Sequence, residues 1–71
     1  MIGWVHVYKT SSAIDAEIVK DMLIDMGIDA VVVNQIDRSY TFFGEAKVFC
    51  READEAQARL FINQNAVQEN E

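Results

Sequence analysis

The chain contains no proline, one cysteine, Cys50, and one histidine, His6. Each scarcity excludes something. One cysteine cannot build an internal disulfide framework, and one cysteine with one histidine is too few for a four-ligand structural zinc site. Nucleophilic catalysis is equally short of parts, because Ser11 and Ser12 have only His6 to share as a base and serve better as helix caps. No catalytic residue, metal site or cofactor site is expected. Long apolar runs are also missing. The longest is Ala30-Val31-Val32-Val33, far below the roughly 20 residues of a membrane-crossing helix, so no membrane partner is expected.

Positive charge is the last scarcity: six Lys and Arg stand against twelve Asp and Glu, for a net charge of -6. Such a balance repels phosphate-rich partners, and nucleic acid is not expected to bind. The segment Phe42-Phe43-Gly44-Glu45-Ala46-Lys47-Val48-Phe49 does echo the aromatic third strand of RNA-recognition domains, but without their basic surface. The acids are scattered and lack the spacing of a calcium loop. Met1 to His6 lacks the basic start and long apolar stretch of a secretory signal, so the expected location is the cytoplasm.

What remains is a well-balanced globular composition, 51% hydrophobic and 25% charged, outside the range of disordered chains. Its 71 residues allow one domain, expected over residues 1–63 with 64–71 as a polar tail. A chain of this size buries only about 60% of its unfolded surface. With no disulfide or zinc to supplement a small core, self-association is the remaining route, and a homodimer is the simplest expectation.

Along the chain, Trp4-Val5-His6-Val7-Tyr8 is aromatic and β-branched and predicts a strand ending near Lys9. Ser12 with Asp15 forms a capping box that starts a helix, and Gly27 ends it as a left-handed cap. Between them Ile14, Ile18, Val19, Met22, Leu23 and Met26 recur at helical spacing and predict the buried stripe. Residues 28–34 form the most β-prone run, apolar in both alternation phases, which predicts a second strand covered at least partly on both faces. Residues 36–43 read as a loop. In the strand that follows, Ala46, Val48 and Cys50 alternate toward the core. Asp54 is the expected N-cap of a final helix with a thin apolar face.

The order strand, helix, strand, strand, helix predicts an α+β ferredoxin-like two-layer sandwich. A right-handed crossover sets the first two strands parallel, and the third returns antiparallel between them. Two helices cover one face, and the fourth strand of the complete fold is missing, leaving the edge at residues 4–9 unpaired. Alternation then lines the open face with Trp4, His6, Tyr8, Lys47 and Phe49, a contiguous aromatic patch of the kind that marks an interface. Either that face or the free edge is the expected association surface. The loop adds Asp37, Arg38, Tyr40, Phe42 and Phe43, which either recognise a partner or fold back to cap the core.

Taken together, Trp4-Val5-x-Val7-Tyr8, Ala16-Glu17-Ile18-Val19-Lys20-x-Met22-Leu23, Gly27-Ile28-Asp29-Ala30 and Gly44-Glu45-Ala46-Lys47-Val48 before Ala56 resemble the family of putative prokaryotic signal-transducing proteins. The resemblance spans about residues 4–62. It implies a bacterial protein with a ferredoxin-like fold similar to the nitrogen-regulatory PII proteins, and a signalling or adaptor role. It carries over no nucleotide or 2-oxoglutarate site, because this acidic chain lacks the basic residues for one. The functional expectation is a regulatory protein-interaction module without catalysis, acting through the loop and the open sheet surface. The alternative is a sensor that binds a small metabolite between subunits.

Overall fold

A computed structural model describes residues 2–35 and 44–65. Its elements are β1 (Trp4–Thr10), α1 (Ala13–Asp25), β2 (Ala30–Asn34), β3 (Ala46–Arg51), a 3-10 turn (Glu52–Asp54) and α2 (Glu55–Gln64). The sheet has the order β1-β3-β2, with β3 antiparallel to both neighbours. The fold is therefore α+β, with the third strand lying between the first two as the strand order predicts.

The start and stop of α1 are set by local chemistry. Ser12 stands at the N-cap, and its Oγ accepts from the Asp15 N–H at 3.1 Å. The return half of the box is made differently, since the Ser12 N–H donates to Thr10 Oγ1 at 3.0 Å. At the other end Gly27, with φ 88°, donates to the Ile24 carbonyl at 2.9 Å, and Ile28 donates to the Leu23 carbonyl at 3.0 Å. That pair of bonds is a Schellman closure, and its usual apolar contact is supplied by Leu23 and Ile28, both buried. Ile28 is consequently spent on closing the helix, and β2 begins at Ala30.

The core consists of Val7, Tyr8, Ala16, Val19, Leu23, Ile28, Ala30, Ala46, Val48, Cys50, Ala58 and Ile62, with Val5, Val32 and Phe61 packed against it. Ala46, Val48 and Cys50 are fully buried under the helices, as their alternation predicts. The buried stripe of α1 is narrower than its apolar sequence: Ala16, Val19 and Leu23 face the sheet, while Ile14 and Ile18 stay 73% and 50% exposed. A helix lying on a three-stranded sheet covers only one arc of its surface, and the apolar residues of α1 extend beyond that arc. At α2, Asp54 holds the N-cap position without a side-chain capping bond, because the chain enters through the 3-10 turn. The face of β2 that carries Val31 is likewise less covered than expected, leaving Val31 37% exposed.

Gly27 has open space where a Cβ would lie, so a side chain there meets only the backbone cost of its positive φ. Gly27→Ala is expected to destabilise the protein by about 1 kcal/mol, lowering the thermal midpoint by roughly 4–8 °C, with Gly27→Asn less affected. Thermal unfolding followed by circular dichroism checks both.

Candidate functional site

The side of the sheet away from the helices is assembled from strand parity. On β3, the residues between the buried ones, Lys47, Phe49 and Arg51, point to this face. Their partners on β2 are Val33 opposite Lys47 and Val31 opposite Phe49. On β1 they are Trp4 opposite Arg51, His6 opposite Phe49 and Lys9 opposite Lys47. The face therefore has three rows.

The middle row is aromatic and aliphatic. His6 and Phe49 meet edge to face with ring centroids 6.0 Å apart, and Val31 flanks Phe49 on the other side. One end row is a strap across the sheet: the Arg51 guanidinium lies 4.7 Å from the Trp4 ring centroid, and its Nε is 3.2 Å from Asp29 Oδ2. Both groups of that ion pair are more than half exposed, so the strap orients side chains more than it stabilises the fold. In the opposite end row Lys9 lies directly across from Lys47, and Lys47 Nζ is 3.8 Å from Glu45 Oε2. Like charges facing each other are unfavourable unless an anion offsets them.

Of the five face residues read from the sequence, the structure brings Trp4, His6, Lys47 and Phe49 together. Tyr8 is a correction. The register of β1 against β3 slips by one residue between His6 and Tyr8, which makes Val7 an extra, bulged residue. Past the bulge the parity inverts: Tyr8 turns to the helices and is only 4% exposed, opposite buried Val48, and Lys9 takes the place on the open face. Alternation alone could not find Lys9. Arg51 could have been found, since it continues the parity of Lys47 and Phe49, and the double-phase apolar pattern of β2 signalled Val31 and Val33. The loop residues Asp37, Arg38, Tyr40, Phe42 and Phe43 lie outside the described residues.

Cys50 is on the opposite side of the sheet from His6, so the two do not form a nucleophile and base. Its thiol donates to the Arg51 carbonyl at 3.4 Å. Burial pushes the thiol above its ordinary value, the carboxylates of Asp54 and Glu55 add to the rise, and Arg59 opposes it. Among the described residues no three His, Cys, Asp or Glu side chains cluster to hold a metal ion, and no helix is long and apolar enough to cross a membrane.

The model of the family described as "putative prokaryotic signal transducing protein" matches residues 4–65, and the chain belongs to that family. No curated protein and no solved structure matches it.

The bulge makes a direct stability prediction. Tyr8→Ala removes a core aromatic and is expected to cost about 3–5 kcal/mol, whereas Phe49→Ala on the open face should cost distinctly less; urea titration compares them. Cys50 gives a second. Above pH 9.0, the ordinary thiol value, the unfolded chain loses a proton that the folded chain keeps, so stability falls as pH rises beyond that point. The stability advantage of wild type over Cys50→Ala should therefore be constant below pH 9 and shrink above it, as read from unfolding curves across that range.

Proposed function

We propose that this member of the signal-transducing family is a regulatory protein-interaction module with no catalysis of its own, working through the open face of its sheet. The observation that carries the reading is the His6, Phe49 and Val31 row, in which His6 and Val31 are exposed and Phe49 is half-buried, bracketed by cations at both ends. Aromatic anchors with arginine beside them, set in a ring of polar side chains, are the usual composition of binding hot spots.

Charge indicates the kind of partner. Among the described residues the open face holds Lys9, Lys47 and Arg51 against Asp29 and Glu45, while the helical layer carries Asp15, Glu17, Asp21, Asp25, Glu52, Asp54 and Glu55 against Lys20 and Arg59. The sheet face is the cationic side of an acidic molecule. It suits a protein surface that presents carboxylates around an apolar centre, and it turns the acidic helices away from that partner.

The test is affinity capture from the native cell with wild-type protein and with Phe49→Ser. A partner retained by wild type, released as salt is raised, and bound at least tenfold more weakly by the variant supports the module, in line with the roughly 2 kcal/mol of a hot-spot aromatic. Identical retention by both proteins sinks the reading. A thermal midpoint raised by a nucleotide or an amino acid would instead favour a metabolite sensor.

A further inference from the structure

The outer side of α1 carries an apolar stripe that the core does not use. Ile14, Ile18 and Met22 follow one another at intervals of four residues, which stacks them along one line of the helix. Ile14 and Ile18 are exposed and Met22 is half-buried, while Ala16, Val19 and Leu23 turn the other way, into the core. From Ile14 to Met22 the stripe runs about 12 Å along the helix axis.

Acids flank the stripe. At about 100° per residue, Glu17 and Asp21 fall on one side of it and Asp15 on the other, with Asp25 beyond its end. All four are exposed. Lys20, the cation of this helix, is held within the acidic flank, 2.9 Å from Glu17 Oε1 and 3.5 Å from Asp21 Oδ1. An apolar centre edged with carboxylates is the surface that the open face of the sheet suits.

The two faces agree in size and in charge. The His6, Phe49 and Val31 row crosses three strands, about 10 Å, with Lys9 and Lys47 on one side of it and Arg51 on the other. Like faces do not agree. Two α1 helices would set acid against acid, and two sheet faces would set Lys9, Lys47 and Arg51 against their own counterparts. Contact between unlike faces brings cations to carboxylates and apolar rows to each other.

With the sheet face taken as the binding surface of the preceding proposal, on which this one rests, we propose that its occupant is the outer side of α1 of a second copy of this chain. The Ile14, Ile18 and Met22 stripe lies along the His6, Phe49 and Val31 row. Lys9 and Lys47 meet the Glu17 and Asp21 flank, and Arg51 meets Asp15. The sheet, already covered on one side by its own helices, gains a helix on the other and becomes the middle of three layers. The contact is heterologous. Each copy offers one sheet face and one helix face on opposite sides of the chain, so assembly continues past two copies unless a ring closes.

A heterologous contact is recognised by mixing. Phe49→Ser disables the sheet face, and Ile14→Gln with Ile18→Gln disables the helix face while keeping good helix formers. Wild type should sediment at multiples of the 8.1 kDa chain mass that rise with concentration and fall as salt is raised. Each variant alone should associate at least tenfold more weakly. Their equimolar mixture should form a pair of chains and nothing larger, because one intact sheet face and one intact helix face remain. Should circular dichroism show a variant unfolded, Lys9→Glu with Lys47→Glu replaces it on the sheet, or Glu17→Lys with Asp21→Lys on the helix. Wild type that stays a single chain at every concentration overturns the proposal, as does a mixture that does not pair. Association that survives in one variant alone also overturns it, since that marks a symmetric contact between like faces. The sheet face as a binding surface for a different protein is decided separately, by capture with Phe49→Ser.

Discussion

Everything in this fold is organised by β3. Among the described strands it alone has a neighbour on each side, and its alternation divides the molecule. Ala46, Val48 and Cys50 are fully buried beneath the helices, while Lys47, Phe49 and Arg51 form the spine of the opposite face. Its backbone divides as well: by the hydrogen-bond parity, even-numbered residues bond to β1 and odd-numbered residues to β2. Side-chain face and backbone partner are thus locked together on six residues. A register slip on either flank would move an entire strand's side chains to the wrong layer.

One such slip is built in. The extra residue at Val7 lets β1 contribute two consecutive core residues, Val7 and Tyr8, where strict alternation would give one. For a chain that buries so little surface, that is a considerable gain in apolar burial. The same bulge moves Lys9 to the open face, opposite Lys47, and breaks the straight edge beside Arg59. Core packing, surface charge and edge protection therefore depend together on one backbone irregularity.

The bulge also marks the limit of what sequence patterning can reveal. The order of elements, the central place of β3, the capping by Ser12 and the closure by Gly27 were all legible, because each rests on a local signal of fixed spacing. Tyr8 was misplaced because a period of two carries no mark of where it skips. The stripe of α1 was drawn too wide for a different reason. Periodicity shows which residues of a helix are apolar, but how much of the arc is covered depends on the neighbours, and here the sheet covers Ala16, Val19 and Leu23 and leaves Ile14 and Ile18 outside. On the open face Trp4, His6, Lys47 and Phe49 followed from alternation, whereas Lys9 required knowledge of the bulge.

The protection of the β1 edge follows from where α2 lies. Arg59 reaches the His6 carbonyl because α2 packs against β1 and β3. β2 is covered on its inner face by α1, whose buried residues Ala16, Val19 and Leu23 supply apolar contact but no donor for an outward carbonyl. Valines protect a strand through packing, not through charge, and their β propensity keeps β2 extended and straight. The choice of residues in β2 therefore serves its packing against β3 and α1, while the polar side chain of Arg59 closes an outward position on β1.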